Sequence, residues 1–76
     1  MGRRQPKKLA HKLLAIRQRL NVSQTEMAKL LNLEISYTAV SAYERGIREP
    51  DLLTLLQYAR VAGVSTDLLI DDKMKL

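Results

Sequence analysis

Repeated helix-start and helix-stop signals divide this 76-residue chain into short segments. A serine or aspartate side chain can accept a hydrogen bond from an otherwise unpaired amide in the first turn of a helix. Asparagine and glycine tolerate the left-handed conformation in which many helices end. The start residues are Ser23, Ser36, Asp51 and Ser65, and the stop residues are Asn21, Asn32, Gly46 and Gly63. Because no stretch alternates apolar and polar residues as a strand does, the expected fold class is all-α, with five helices around one core.

The start at Ser23 carries more than one of these signals. Glu26 follows it at the spacing of a capping box, in which each side chain binds the backbone amide of the other residue. Val22, before the start, and Met27, one turn into the helix, fit the apolar contact that often accompanies such a box. A well-defined helix is therefore expected to begin here.

Apolar side chains recur at helical spacing and define the expected core. In the first helix they share one face, and Lys8, Lys12 and Arg19 are expected to face water. Asp71 to Leu76 are expected to form a frayed tail in which the two aspartates are solvated. The expected core residues are Leu9, Leu13, Ile16 and Leu20, then Met27, Ala28 and Leu31, then Val40 with Tyr43 or Glu44, then Leu52, Leu55, Leu56, Ala59 and Ala62, and finally Leu68, Leu69 and Ile70.

The composition excludes several classes of protein. The chain has no cysteine, so neither a disulfide scaffold nor a cysteine-bound metal site is possible. His11 is the only histidine and has no accompanying ligand set, so we expect no metal, no cofactor and no enzymatic activity. No apolar stretch approaches the roughly 18 residues of a membrane-spanning helix. These features predict a cytoplasmic domain with no membrane contact and no evident small-molecule ligand.

The positive charge is concentrated at the amino-terminal end. Residues 1–20 contain seven of the 13 lysines and arginines and no acid, whereas residues 21–76 contain six bases and eight acids. Such an end favours an anionic partner, with nucleic acid first and a membrane surface second, although it can also serve solubility alone. Arg3 and Arg4 fall in an expected flexible basic arm, residues 1–6, which can follow DNA as other basic arms do. A disordered tail or a remnant of a tag is the alternative interpretation of this segment.

The third helix has little to bury beyond Val40. Its outer face, read from the helical spacing, carries small and polar side chains. Side chains of this kind let a helix backbone enter the DNA major groove and can hydrogen-bond to base edges there. The residues of this face are Tyr37, Thr38, Ser41, Ala42 and Arg45.

Taken in order, these motifs resemble the Cro/repressor (Xre-type) helix-turn-helix family of lambda-repressor-like domains. The resemblance covers about residues 8–71, and the combined pattern is more specific than any one block. The residues that carry it are Arg17, the block Ser23-Gln24-x-Glu26-Met27-Ala28 with Leu31, the block Val40-Ser41-x-Tyr43-Glu44-Arg45-Gly46, Arg48, Glu49-Pro50, and the block Gly63-Val64-Ser65 with Asp67 and Leu69.

The resemblance implies a DNA-binding transcriptional regulator, repressor-like in manner. Its second helix would span about residues 24–31 and its recognition helix about residues 37–45, within a domain over residues 7–71 followed by a tail over 72–76. The partner would be double-stranded DNA, bound by a possible homodimer whose contacts would come from the fourth helix, the fifth helix or the tail. The implied contacts are Gln24 to a phosphate, Tyr37, Thr38 and Ser41 to bases or phosphates, Ala42 to a thymine methyl group, Arg45 and Arg48 to the DNA backbone, and Arg17 to Glu44 in a structural ion pair.

The sequence departs from the family pattern between the second and third helices. Asn32-Leu33-Glu34-Ile35-Ser36 replaces a turn that is usually two residues shorter. The extra residues either lengthen the turn or extend the second helix, and the aliphatic Leu33 and Ile35 favour the longer turn. Glu34 would repel phosphate unless its side chain points away from the DNA.

A second class of function uses the same fold. An adaptor or an antitoxin-type domain would bind a protein instead of DNA. Acidic or apolar residues on the outer face of the third helix would favour that alternative. The small and polar residues observed there, together with the basic end, favour DNA.

Overall fold

The computed structural model describes residues 8–32 and 34–76. Arg3 and Arg4 of the expected arm, and Leu33 of the expected turn, lie outside the described residues. None of the helices in these ranges has the length and apolar character needed to cross a lipid bilayer. The chain forms α1 (Leu9–Leu20), α2 (Gln24–Leu31), α3 (Tyr37–Glu44), α4 (Leu52–Ala62) and α5 (Thr66–Ile70).

Local hydrogen bonds begin the last four helices at the expected residues. Ser23, Ser36, Asp51 and Ser65 each accept a hydrogen bond from a first-turn amide. Both halves of the capping box are present, with distances of 3.0 Å from the Glu26 amide to Ser23 Oγ and 2.9 Å from the Ser23 amide to Glu26 Oε1. The backbone amide of Ser23 lowers the pKa of Glu26, and that of Thr54 lowers the pKa of Asp51.

The helix stops follow from the left-handed backbone. Asn21, Asn32 and Gly63 adopt φ angles of +57°, +52° and +71°, and each follows the last residue of its helix. The third helix ends slightly earlier than predicted, at Glu44, and Gly46 takes the left-handed conformation two residues later.

The core lies where α1 packs against α3, α4 and α5, and where α2 packs against α3 and α4. Most of the predicted core residues are buried. For the third helix the sequence left a choice between Tyr43 and Glu44, and both side chains are buried. The buried apolar residues are Leu9, Leu13, Ile16, Met27, Ala28, Leu31, Val40, Tyr43, Leu55, Tyr58, Ala59 and Leu69.

Four predicted core residues are exposed, which corrects the sequence interpretation: Leu20, Leu52, Leu56 and Ile70. The main cause is the orientation of α4. This helix turns Thr54, Leu55, Tyr58 and Ala59 towards the core, so Leu52 and Leu56 lie outside the buried face. Leu20 and Ile70 occupy the last positions of their helices, where less of the protein covers them.

Lys12 is buried, although it was expected to face water. Its side chain is only 6% exposed, and its ammonium group donates to the carbonyl oxygens of Leu68 at 2.6 Å and Asp71 at 2.8 Å. The last carbonyl groups of a helix have no partner within that helix, so a cation at the end of α5 satisfies them.

The carboxyl-terminal segment is also attached to the domain and does not project as a frayed tail. The backbone amide of Lys8 donates to Asp72 Oδ1 at 3.0 Å, so this aspartate is not simply solvated. Leu76 is partly buried against the core. The segment after α5 therefore packs beside the beginning of α1.

Tyr58 is a core residue that the leucine-based interpretation of α4 missed. It is fully buried, and its ring meets that of Tyr43 edge to face, with 6.4 Å between the ring centres and 74° between the planes. Within the described residues its hydroxyl has no hydrogen-bond partner. Burial raises the pKa of the Tyr58 hydroxyl above its ordinary value, so the group stays neutral.

Tyr58→Phe should leave the free energy of unfolding unchanged or raise it by up to about 1 kcal/mol, because a buried hydroxyl without a partner costs desolvation energy. Urea titration followed by circular dichroism measures this difference. Tyr58→Leu is the matched control, since it removes the edge-to-face contact and should cost about 2 kcal/mol. A loss above about 1 kcal/mol in the phenylalanine variant would show that the hydroxyl is bound in the folded protein.

Candidate nucleic-acid interface

The turn between α2 and α3 contains the residues that the family pattern lacks. The second helix ends at Leu31 and the third begins at Tyr37, so the extra residues lengthen the turn and do not extend α2. Ile35 is half-buried against the core. Glu34 is exposed and has a φ angle of +54°, which is uncommon for a residue other than glycine. In this longer turn, Ile35 therefore packs against the core and the Glu34 carboxylate is exposed to water.

One face of α3 is accessible and carries the predicted base-reading residues. Tyr37 is 56% exposed, Thr38 is exposed, and Ser41 and Ala42 are half-buried. Arg45 follows on the same side of the helix and is exposed. The opposite side of α3 carries the buried residues Val40 and Tyr43, which pack against the core. The small, polar face of the helix therefore points outwards.

The amino-terminal end of α3 is ordered by its own hydroxyl groups. Ser36 Oγ and Thr38 Oγ1 lie 2.6 Å apart, and Ser36 Oγ also accepts from the Ala39 amide at 3.4 Å. The Thr38 hydroxyl is thus held at the exposed start of the helix.

An ion pair holds α3 against α1. Arg17 donates to both carboxylate oxygens of Glu44, at 2.6 Å from Nε to Oε2 and 3.1 Å from Nη2 to Oε1. Its Nη1 also donates to the carbonyl oxygen of Val22 at 3.0 Å. The Glu44 side chain is only 4% exposed, and its hydrogen bond raises the pKa of Arg17. These contacts fix α3 against α1 through a buried Glu44 and a partly buried Arg17.

Gln24, the first residue of α2, joins the same network. Its Nε2 donates to Glu44 Oε1 at 3.1 Å, and its side chain is half-buried. An amide nitrogen carries two hydrogens, so this bond leaves one donor at the amino-terminal end of α2. Glu44 therefore connects α1, α2 and α3 and orients the predicted phosphate contact.

The chain that leaves α3 positions two exposed arginines. The amides of Ile47 and Arg48 both donate to the Ala42 carbonyl oxygen, at 3.0 Å and 3.3 Å, so the chain wraps closely around the helix end. Gly46 permits this wrap through its φ angle of +71°. The Arg48 guanidinium lies 5.9 Å from the Tyr43 ring centre, within the range of a cation–π contact. Arg45 Nε donates to the Ser41 carbonyl oxygen at 3.4 Å.

Two of these relationships were not deduced from the sequence. The Gln24–Glu44 bond and the Arg48–Tyr43 contact join residues that no spacing rule pairs, and each orients a predicted DNA contact. The capping box beside Gln24 and the glycine before Arg48 were the only local signals. Across residues 8–32 and 34–76, no group of three or more potential ligands is placed to hold a metal ion.

Comparisons with known proteins agree with this geometry. A helix-turn-helix family model matches residues 13–69. The HTH-type transcriptional regulator ImmR of Bacillus subtilis strain 168 is 40% identical over 62 residues, which are 82% of this chain and 47% of that protein. The chain thus spans about half the length of this curated relative.

A solved structure shares the fold. The P22 c2 repressor, crystallised with the synthetic operator 9T in the presence of Tl⁺, superposes with a TM-score of 0.76 and 26% sequence identity. The match covers 84% of this chain and 94% of the repressor chain. With the family model, the motif order and the five-helix arrangement in agreement, the chain belongs to the Cro/repressor (Xre-type) helix-turn-helix family.

Proposed function

We propose that this protein is a sequence-specific, double-stranded DNA-binding transcriptional regulator that acts as a repressor, with α3 in the major groove. The observation that carries the proposal is the exposed small and polar face of α3, held on a rigid base by the Arg17–Glu44 pair. It would act on bacterial, phage or plasmid DNA in the cytoplasm.

The α3 face supplies groups suited to reading bases. Hydroxyl groups such as those of Thr38 and Ser41 can donate to or accept from base edges. The Ala42 methyl group suits a thymine methyl group, and Tyr37 stands at the helix start, where it reaches a base or a phosphate. These four residues lie within two turns of one another, so they would read a few adjacent base pairs.

The phosphate contacts would surround this helix. Gln24 offers its remaining amide donor at the positive end of the α2 dipole, a position that favours an anion. Arg45 and Arg48 follow the carboxyl-terminal end of α3, and both are exposed. Arg3 and Arg4 would extend the contact along the backbone or into the minor groove. Phosphate contacts from the start of α2 and from the chain after α3 would fix the orientation of α3 on the duplex.

The relatives support the same role. ImmR is named as a transcriptional regulator, and the P22 c2 repressor was crystallised on an operator. An adaptor or antitoxin-type function is less well supported by the α3 surface. This outer face carries no acid, and Tyr37 is its one aromatic side chain.

Ser41→Glu should reduce binding to the preferred DNA site by at least roughly 100-fold, because it places a carboxylate among bases and phosphates and removes a hydroxyl. The preferred site is first selected from a random DNA pool, and affinities are then measured by fluorescence anisotropy at several salt concentrations. The helical circular dichroism signal and the melting temperature should stay close to those of the unchanged protein, since Ser41 lies outside the buried face of α3.

Lys73→Gln is the matched control for this experiment. It also lowers the net charge by one, but it lies beyond α5, which packs against α1 and α4. We expect it to change affinity by less than about threefold, a loss spread evenly over all DNA sequences. If the Ser41→Glu variant bound the preferred site with unchanged affinity, α3 would not lie in the major groove and the proposal would be wrong.

A further inference from the structure

An open groove lies between α1 and the carboxyl-terminal segment, on a part of the surface that the proposed DNA contacts do not use. Its volume is about 410 Å³, and most of its accessible surface is apolar. An exposed apolar surface that is bordered by polar groups is typical of a binding site, and we call this one the α1 groove. Its apolar lining consists of Ala15, Met74 and Leu76, and its polar lining consists of Lys8, His11, Lys12 and Lys75.

A smaller apolar hollow continues the α1 groove towards the end of the helix. Leu76 lines both, and the hollow has a volume of about 60 Å³ beside Ile16, Leu20 and Val64. Because α1 contains 12 residues, the groove and the hollow together follow about 18 Å of helix, or about three turns. A surface of this length matches a short helix better than it matches a compact small molecule.

The charged side chains along this surface are all positive. Lys8, Lys75 and, beside the hollow, Arg19 are exposed. Among the described residues, no acidic side chain lines the groove or the hollow. Asp72 is nearby, but its Oδ1 accepts from the Lys8 backbone amide at 3.0 Å. Part of the positive charge at the amino-terminal end of the sequence therefore borders this groove and not the proposed DNA surface.

Lys12 adds a buried donor to the α1 groove. Its side chain is only 6% exposed, yet it belongs to the lining. The ammonium group uses two of its three hydrogens on the carbonyl oxygens of Leu68 and Asp71, so one hydrogen remains. A carboxylate in the groove is the acceptor that suits this hydrogen best, because hydrogen bonds between charged groups are the strong ones.

The α1 groove lies on the far side of α1 from the proposed recognition helix. Ala15 lines the groove, whereas Arg17, two positions later, donates to Glu44 of α3. Two positions are about 200° of rotation around a helix, so these side chains point in nearly opposite directions. A partner in the groove would therefore leave α3 accessible to DNA.

The shape and the charge of the α1 groove favour one kind of occupant. A second copy of this chain that used the same surface would oppose lysine with lysine. DNA phosphates would leave the apolar lining uncovered, and a nearly flat bilayer would not fill a concave surface. An acidic amphipathic helix meets both requirements, since it places apolar side chains in a groove and carries carboxylates beside them.

We propose that the α1 groove binds an acidic amphipathic helix of a partner protein. The apolar face of this helix packs on Ala15, Met74 and Leu76, and its carboxylates pair with Lys8 and Lys75. The apolar surface is small and the ion pairs are exposed, so the dissociation constant should be roughly 100 µM. The proposal goes beyond DNA binding and does not depend on it.

Fluorescence anisotropy with a synthetic peptide tests the proposal. The probe is a labelled helix of three to four turns, built from alanine, leucine and glutamate, with its leucines on one face. A peptide of the same composition, in which the leucines no longer share a face, is the control and should bind at least about tenfold more weakly. Equal binding of the two peptides, or no binding of the first up to roughly 1 mM, would overturn the proposal.

Two pairs of variants test the residues of the groove. Lys75→Glu should weaken binding at least about fivefold, whereas Lys73→Glu, the same charge change outside the lining, should cost less than about twofold at physiological salt. Met74→Glu should abolish binding, whereas Leu30→Glu on α2 should not. All four side chains are exposed, so the circular dichroism spectrum should stay the same. Equal losses within either pair would mean that the peptide is attracted by net charge alone, and the proposal would be wrong.

The location of binding is read from amide signals in nuclear magnetic resonance spectra of the chain without DNA. The peptide should shift the signals of residues 8–15 and 74–76 and leave those of α3 unchanged. Shifts confined to α3 would place the peptide on the proposed DNA surface and contradict the proposal. Sedimentation with phosphatidylglycerol vesicles tests the competing occupant, because a chain that binds these vesicles but not the peptide would have a membrane as its partner. Since no measurement contains DNA, failure here is distinct from failure of DNA binding.

Discussion

Replacing Glu44 with alanine should lower the free energy of unfolding by about 3 kcal/mol, as expected when one partner of a buried ion pair is removed. The substitution leaves two donors of Arg17 and one of Gln24 without their acceptor. For a domain of this size the loss corresponds to a drop in melting temperature of about 15 °C. Urea denaturation gives the free energy directly, and a thermal melt followed at 222 nm gives the temperature shift.

The double variant Arg17→Met with Glu44→Leu separates the ion pair from simple packing. It removes both charges together, so it should be more stable than Glu44→Ala, because no uncompensated charge is left in the partly buried site. Arg17→Ala should likewise act through stability, and at a temperature where the variant is folded its DNA affinity should be nearly unchanged. Loss of DNA binding by Arg17→Ala at full stability would instead make Arg17 a direct DNA contact.

The helix boundaries were predictable because they depend on neighbouring residues. A serine side chain and the amide three residues later meet in any chain that starts a helix there, as Ser23 and Ser36 do. The left-handed stops at Asn21 and Gly63 are equally local. Such features require no knowledge of how the helices pack, so the sequence is sufficient for them.

The orientation of α4 was not predictable in the same way. A leucine count favours the face that contains Leu52 and Leu56, yet α4 buries the face that contains Tyr58. In that orientation Tyr58 packs edge to face against Tyr43, which belongs to another helix. Helical spacing records which residues share a face, but it does not tell which of two apolar faces meets the core.

The candidate interface shows the same difference between local features, which the sequence predicts, and long-range contacts, which it does not. The exposed positions from Tyr37 to Ala42 follow from the helical spacing of α3, since Val40 fixes the buried side. The bonds that orient Gln24 and Arg48 are long-range and depend on where Glu44 and Tyr43 are brought by the packing of α3. The reading surface is therefore a local property of the sequence, whereas its phosphate contacts depend on the tertiary structure.

Lys12 is the residue for which the sequence and the structure disagree most, and its removal should have the second large effect. Lys12→Met keeps most of the aliphatic stem but deletes the donor to the Leu68 and Asp71 carbonyl oxygens. Hydrogen bonds to a charged group are each worth about 1.5–3 kcal/mol, and both carbonyl groups would have to find water. We expect the free energy of unfolding to fall by about 2–3 kcal/mol in urea titrations.

The location of the effect distinguishes this role from a general loss of packing. Without the ammonium group, the end of α5 and the segment that follows it lose their attachment to α1, so their amides should exchange hydrogen faster than those of α2 and α3. Lys8→Met is the matched control, because Lys8 is exposed and contacts Asp72 through its backbone amide, which the substitution retains. Equal exchange rates in the Lys12→Met variant and the unchanged protein around Leu68 to Asp72 would show that Lys12 does not hold the carboxyl-terminal segment. Faster exchange confined to that segment would show instead that a single buried lysine converts an expected tail into part of the folded domain.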